Sequence, residues 1–156
     1  MELIVVGVDG SEGAEAALDF ASGEADLRKA RLRIVTAWEL PPELYGGAYG
    51  IPYGAAIDPE TREIFAERAD KLAQTAVASV KQTHPAVECE GQAVEGQPAE
   101  VLLGEAARAD LIVVGNRGRG GFKSLLLGSV SQHVVHHAEC PVVVVRATAA
   151  AAPDED

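Results

Sequence analysis

The sequence has few cysteines, few aromatic residues and little positive charge. Two cysteines among 156 residues are too few for the disulfide framework of a small secreted domain, which agrees with a reducing compartment. There are 13 lysine and arginine residues against 24 aspartate and glutamate residues, a formal charge of −11, and aromatic residues make up 4%. Because nucleic-acid binding needs a basic surface and aromatic residues for base stacking, this composition argues against it.

Long hydrophobic runs are also missing. No stretch approaches the roughly 18 apolar residues that cross a bilayer, and the start Met1-Glu2 lacks the cationic segment of a signal peptide. We therefore expect a cytoplasmic protein that does not bind membranes. With 47% hydrophobic residues, the chain can bury one sizeable core, which favours a single domain over residues 1–146. Residues 147–156 are predicted to be a disordered acidic tail.

Strand-like and helix-like segments alternate along the chain. Helical spacing of apolar residues predicts helices over residues 11–28, 58–84, 98–108 and 129–138. Runs of strand-forming residues predict strands over residues 3–8, 32–38, 87–94, 111–114 and 142–145. This alternation predicts an open, doubly wound parallel sheet of the α/β class, with strand order 3-2-1-4-5 and helices on both faces. Ligands of such sheets bind where the winding reverses, between the first and fourth strands.

A glycine-rich, basic segment follows the fourth strand and ends at the next helix. Glycines let the backbone approach an anion, and the N–H groups and positive dipole of a helix start attract it. The segment is therefore predicted to hold the phosphates of one small polyanion. Alternatively, each glycine is only a turn and Ser129 only a helix cap. The residues concerned are Gly115, Arg117, Gly118, Arg119, Gly128, Ser129, Val130 and Ser131.

The spacing of this segment differs from two common phosphate-binding motifs. A Walker A motif has four residues between its first glycine and Gly-Lys-Ser/Thr, whereas the lysine of this segment is Lys123 and follows no such spacing. The dinucleotide fingerprint Gly-x-Gly-x-x-Gly does not open a helix here either. A kinase and a Rossmann dehydrogenase are therefore disfavoured.

The spacing Gly115-x2-Gly118-x9-Gly128-Ser129 resembles the ATP-binding signature of the universal stress protein family. The likeness extends to the first strand and turn, which end at Asp9-Gly-Ser11, and to the last strand after Cys140-Pro. It therefore covers nearly the whole chain. The resemblance implies a homodimeric, doubly wound domain of the ATP-binding subgroup, which binds ATP, often with magnesium on the phosphates.

The resemblance also implies roles for individual residues. Gly115 and Gly118 would line the ribose and phosphates, and Asp9 would accept from ribose hydroxyls or hold a metal-bound water. The backbone of Ala37 and Trp38 would meet the adenine edge. Asp9 could instead be only a cap of the first helix.

Phosphate oxygens would be held by backbone N–H and hydroxyl groups at the start of the last helix. Arg117 and Arg119 would contact phosphate or be simple solvated charges. The complete predicted site consists of Asp9, Gly10, Ser11, Ala37, Trp38, Gly115, Arg117, Gly118, Arg119, Gly128, Ser129, Val130 and Ser131.

The last strand, residues 142–145, has apolar residues on both faces and would lie at a sheet edge. It carries no charge or bulge to prevent pairing with another strand. A two-fold homodimer that pairs this strand with its own copy would cover it. Coverage by the tail or by the last helix is the alternative.

The histidines near the last helix, the tyrosines of the long loop and the two cysteines are not part of the predicted site. His133, His136 and His137 have the spacing of a metal pair but lack further ligands, so we expect no protein metal site, only possible magnesium on nucleotide phosphates. Tyr45, Tyr49 and Tyr53 lie in the long loop over residues 39–54 and could form an aromatic lid over the adenine. The two cysteines, Cys89 and Cys140, are expected to be small buried hydrophobic residues.

Together these features predict an ATP-binding stress-response protein that acts as a nucleotide-dependent homodimer. No Ser/His/Asp set or positioned general base is evident, so at most slow, water-mediated ATP hydrolysis is expected. The alternatives are a nucleotide-free dimeric interaction protein, a binder of AMP or cyclic AMP, and a slow ATPase or phosphotransferase.

Overall fold

The computed structural model describes residues 2–45, 57–118 and 126–147. The strands form one parallel sheet in the order β3-β2-β1-β4-β5, which confirms the predicted topology. Both β3 and β5 are edge strands, as the predicted strand order requires. The strands are β1 (Leu3–Gly7), β2 (Arg31–Trp38), β3 (Cys89–Glu95), β4 (Leu111–Gly115) and β5 (Val142–Val145).

Helices cover both faces of the sheet and pack on two separate buried clusters. α1 and α2 contribute alanines and valines to one cluster, and α3 and α4 contribute Leu102, Ala106 and Val134 to the other. Within the described ranges, no helix has the combined length and apolar character that a membrane span requires. The helices are α1 (Glu12–Arg28), a short 3-10 helix (Pro42–Tyr45), α2 (Pro59–Thr83), α3 (Pro98–Ala106) and α4 (Ser129–His137).

α3 ends at Ala106 rather than at residue 108, because the chain tightens into turns in which the N–H of Arg108 donates to the carbonyl of Glu105 at 3.1 Å. The proposed lid residues Tyr49 and Tyr53 lie outside the described residues, as does the predicted tail from residue 148 onward.

The start of α1 lies in backbone contact with the end of β4. A Cβ atom placed on Gly13 would lie 2.5 Å from the carbonyl oxygen of Arg117, and one on Gly115 would lie 2.6 Å from the carbonyl of Gly13. Real Cβ atoms do not approach backbone this closely, so both positions need glycine. This contact brings the turn after β1 and the segment after β4 to one place.

The two cysteines are only partly buried, which corrects the expectation of full burial. Cys89 begins β3, which has one neighbour among the described strands, and Cys140 lies in the turn before β5. Burial still raises the pKa of both thiols.

Asp110 ties the beginning of β1 to the turn before β4. Its Oδ2 accepts hydrogen bonds from the N–H groups of Glu2 and Leu3 at 2.7 and 2.9 Å. These bonds favour the carboxylate and lower the pKa of Asp110 below its usual range. The resulting stabilisation is complete above the unfolded pKa and is lost as the pH falls through the lower folded pKa.

We therefore expect an NMR titration of the Asp110 carboxyl group to have a midpoint below about 3.9, the value for an unperturbed aspartate. The Asp110→Asn variant should be less stable than the wild type at pH 6, and the difference should shrink as the pH falls through that midpoint. A midpoint above 3.9 would contradict this assignment.

Thr36 on β2 has a buried hydroxyl without a hydrogen-bond partner in the described structure. Its side chain lies in the sheet interior, and the residue is 3% exposed. A buried polar group that makes no hydrogen bond costs about 1–3 kcal/mol. The isosteric replacement Thr36→Val should therefore raise the free energy of unfolding by about 1 kcal/mol in urea denaturation. Thr36→Ser keeps the hydroxyl and loses a methyl group, so it should lower stability instead.

Candidate functional site

A cavity of about 330 Å³ lies where the carboxyl ends of β1 and β4 meet. The sheet reverses its winding between these two neighbouring strands. The end of β2 and the first turns of α3 and α4 complete the wall of the cavity. This is the location at which doubly wound sheets bind their ligands.

Most of the predicted site residues border this cavity. Gly10 and Trp38 do not: Gly10 adopts a positive φ of 81° in the turn after β1, and the carbonyl of Trp38 accepts the N–H of Gly96 at 2.8 Å. Arg119 lies outside the described residues. The predicted residues that line the cavity are Asp9, Ser11, Ala37, Gly115, Arg117, Gly118, Gly128, Ser129, Val130 and Ser131.

An apolar part of the wall was missed by the sequence analysis. Val35 of β2 and Leu102 of α3 belong to the same buried cluster, and both also face the cavity. Their sequence pattern indicates ordinary core residues. One sequence signal could have identified Val35. It lies two residues before the predicted site residue Ala37, and residues two apart in a strand lie on the same face. The other missed lining residues are Gly7, Val8, Ala14, Pro98 and Val114.

The first turn of α4 presents backbone donors at the cavity. The N-cap residue Gly128 has no side chain to accept a hydrogen bond, and the first N–H that bonds within the helix is that of Gln132, to Gly128 at 3.0 Å. The N–H groups of Ser129, Val130 and Ser131 have no hydrogen-bond acceptor among the described residues. With the positive end of the helix dipole, they form a suitable site for an anion.

Two of the predicted phosphate donors have partners within the protein. The N–H of Gly128 donates to the carbonyl of Asn116 at 2.6 Å, and the hydroxyl of Ser131 donates to the same oxygen at 2.9 Å. Ser131 is only 2% exposed. These bonds fix the first turn of α4 against the end of β4. They give Gly128 and Ser131 a positioning role here, and they identify Asn116 as a residue that the sequence analysis overlooked.

The carboxylate of Asp9 is held in a defined orientation at the cavity. Its Oδ1 accepts the N–H of Ser11 at 2.9 Å and the Ser11 hydroxyl at 2.5 Å. Ser11, not Asp9, is the N-cap of α1, since its Oγ accepts the N–H of Ala14 at 3.2 Å. Oδ2 of Asp9 lies beside Gly118, so that a Cβ atom placed on this glycine would be 2.6 Å from Oδ2. Asp9 therefore faces the cavity as an acceptor.

The histidines are not among the residues that line this cavity. The rings of His133 and His137 are 4.5 Å apart, and Nε2 of His133 lies 3.7 Å from Oε1 of Glu100 on α3. In the portion of the chain that the structure describes, no three histidine, cysteine, aspartate or glutamate residues are grouped as metal ligands.

Comparison with known proteins gives this cavity a family context. The model of the universal stress protein family matches residues 1–146. The chain belongs to the universal stress protein family. A universal stress protein of Thermus aquaticus is 37% identical over 145 residues, an alignment that covers 92% of this chain and 97% of that protein.

A universal stress protein of Mycolicibacterium smegmatis is 36% identical over 147 residues, covering 92% of this chain but 45% of that protein. The chain therefore spans less than half the length of several curated family members that it matches.

Solved structures of the family share the fold. A universal stress protein in complex with cAMP superposes with a TM-score of 0.66 at 28% identity, covering 94% of this chain and 98% of that chain. The universal stress protein of Archaeoglobus fulgidus in complex with dAMP gives a TM-score of 0.62 at 25% identity, with 92% and 97% covered. Both proteins carry an adenine nucleotide with a single phosphate.

Proposed function

We propose that this chain binds an adenine nucleotide in the cavity between β1 and β4. The observation that carries the proposal is the uncapped first turn of α4, whose donors face a cavity also lined by Gly115, Gly118 and Arg117. A phosphate group would accept from these N–H groups. The apolar wall around Val35 and Leu102 suits a purine base, and Asp9 suits ribose hydroxyls as an acceptor. The relatives bound to cAMP and dAMP support the ligand class.

We propose ATP as the nucleotide, with AMP and cyclic AMP as the competing candidates. Arg117 borders the cavity and supports a ligand that carries more than one phosphate. Magnesium usually binds through one or two carboxylates together with substrate phosphates. The ion would sit on the phosphates, and the carboxylate of Asp9 at the cavity would accept a hydrogen bond from one of its waters. When bound, the ion would neutralise phosphate charge.

We further propose that the protein acts as a cytoplasmic, nucleotide-dependent homodimer that pairs β5 with its own copy. Among the described strands, β5 pairs only with β4, so its outer edge offers backbone groups to a partner. The N–H of Asn116 donates to the carbonyl of Val145 at 2.8 Å, while the carbonyl of Asn116 holds the first turn of α4. One residue thus contacts both the phosphate-binding turn and the end of the edge strand.

The decisive experiment is to denature the purified protein and record a mass spectrum of the released small molecules. We expect an adenine nucleotide. Calorimetry on the stripped protein with ATP, AMP and cyclic AMP, each with and without magnesium, then identifies the preferred ligand. A blank spectrum together with no binding of any nucleotide would support the alternative, a nucleotide-free interaction protein. Phosphate release that disappears in a Gly118→Val variant would support the slow ATPase instead.

A further inference from the structure

Three histidines are the only side chains of α4 that change charge near neutral pH. The other residues of the helix are serine, valine and glutamine. His133, His136 and His137 therefore decide whether α4 carries a net charge. The same helix begins with the backbone donors at the cavity, so a charge on α4 acts on an anion that is bound there.

Of the three, His133 lies nearest to the first turn of α4. It follows Ser129 by four residues, and an α-helix turns once in 3.6 residues while it rises 1.5 Å per residue. His133 is therefore about 6 Å along the axis from Ser129 and on nearly the same side of the helix. Helical side chains lean towards the N-terminus, which brings the imidazole closer to Ser129, a residue that lines the cavity.

His133 faces a carboxylate across the contact between α3 and α4. Its Nε2 lies 3.7 Å from Oε1 of Glu100, which comes two residues after Pro98, a lining residue of the cavity. Both side chains are partly exposed, so His133 can exchange a proton with water. With neutral His133 this pair carries one negative charge, and with protonated His133 its net charge is zero.

On α4 itself, the nearest titratable group is His137. Its ring lies 4.5 Å from the ring of His133, so a proton on one imidazole opposes a proton on the other. The carboxylate of Glu100 favours the proton on His133. Glu139, just after the helix, adds a further negative charge at that end. We therefore expect one proton to reside mainly on His133.

The elements packed against α4 add only fixed charges. β4 and β5 consist of aliphatic residues and one glycine. Arg117 precedes the helix, and Arg146 follows β5. Glu105, the second carboxylate of α3, accepts hydrogen bonds from side chains of β2 and β3. Because carboxylates and guanidinium groups do not ordinarily titrate near pH 7, these groups do not cancel the change at His133.

We propose that a proton on His133 strengthens nucleotide binding and favours the nucleotide with more phosphate charge. The inference rests on the proposed nucleotide site and adds its regulation by pH. The chain carries a formal charge of −11, which repels a polyanion, and protonated His133 reduces that repulsion beside the phosphates. Affinity therefore rises as the pH falls through the range in which histidine gains its proton, and by linkage nucleotide binding favours proton uptake.

The size of the effect follows from distance, salt screening and ligand charge. His133 is within about one Debye length of the first turn of α4, roughly 8 Å at physiological salt. A screened unit charge at that distance in water changes the affinity for ATP, which carries about three or four negative charges, by about 3-fold. For cyclic AMP, with one negative charge, the same estimate is less than about 1.5-fold.

The test is calorimetry of ATP binding without magnesium at about pH 6 and about pH 8. The ratio of wild-type affinity to His133→Gln affinity should be about 2.5-fold higher at the lower pH. Protonation of ATP itself is common to both proteins and cancels in this ratio. Near pH 6.5, calorimetry in two buffers of different ionisation heat should give about a quarter of a proton more uptake in the wild type than in the variant.

Matched variants on the same helix separate charge from structure. His136→Gln removes a histidine about 10.5 Å along the axis from Ser129, so it should retain most of the pH dependence. His133→Lys keeps its positive charge at both pH values, and it should bind ATP tightly at both. At about 1 M salt, where the Debye length is about 3 Å, the difference between the wild type and His133→Gln should disappear. Circular dichroism establishes that the variants fold.

The remaining outcomes distinguish this inference from the proposed function. If the wild type and His133→Gln bind ATP with the same pH dependence, or if His133→Lys binds no more tightly than His133→Gln at about pH 8, the inference is wrong and nucleotide binding stands. An equal effect on ATP and cyclic AMP would contradict the role of phosphate charge. No binding of ATP at either pH would overturn the proposed ATP site, and this inference with it.

Discussion

Replacing Gly13 with alanine is expected to lower the free energy of unfolding by about 2 kcal/mol. Two effects compete. Alanine in a helix is more favourable than glycine by about 1 kcal/mol. Its Cβ atom, however, would lie 2.5 Å from the carbonyl oxygen of Arg117, and forcing an extra carbon into such a contact costs up to about 3 kcal/mol. The neighbour is backbone, which cannot rotate away, so the steric cost prevails. Urea denaturation of both proteins measures the difference.

Gly23 provides a matched control in the same helix. It is exposed, and a Cβ atom there meets nothing within 4 Å. Gly23→Ala should therefore raise the free energy of unfolding by up to about 1 kcal/mol, the helix-propensity gain alone. Opposite signs for two identical substitutions in α1 would establish that the contact with Arg117 is responsible. Equal stabilisation by both substitutions would contradict the close approach of α1 to the segment after β4.

Replacing Gly118 with valine is expected to weaken nucleotide binding about 100-fold, equivalent to about 2.7 kcal/mol. The first carbon of the new side chain would lie 2.6 Å from Oδ2 of Asp9, so the carboxylate must move away from its position at the cavity. The valine would also occupy space along the wall that Gly118 lines. Because the displaced atom is the end of a side chain, stability should change by less than about 1 kcal/mol. Calorimetry and thermal melting measure the two effects.

Gly104→Val is the control for this substitution. Gly104 lies in α3, where a Cβ atom would meet nothing within 4 Å. The variant should bind nucleotide as the wild type does. If Gly118→Val also bound nucleotide with unchanged affinity, the phosphate-binding role of the segment after β4 would be wrong, and the structural alternative for its glycines would stand.

The sheet topology was predictable from the sequence because its signals are local. Uninterrupted apolar runs at residues 3–8 and 111–114 indicate strands that are buried on both faces. The helical spacing between the strands then permits few connections other than right-handed crossovers. The ends of the helices and strands were harder to predict from the sequence. The end of α3 depends on turn hydrogen bonds that carry no clear sequence signal.

The site was predictable in its glycines and polar groups but not in its wall or its internal bonds. Glycine spacing and the Asp-Gly-Ser turn are visible in the sequence, and the structure brings these segments together at one cavity. Val35 and Leu102 carry the same pattern as any core residue. Asn116 was overlooked because its main contacts use its backbone carbonyl and N–H groups, and every residue type except proline has both.

The sequence by itself determined the family resemblance, the parallel sheet and the position of the cavity between β1 and β4, since these follow from motif spacing, periodicity and strand order. Tertiary structure alone decided which donors remain available to a ligand. The hydroxyl of Ser131 and the N–H of Gly128 point to Asn116 and not into the cavity, because direction depends on how α4 packs against β4.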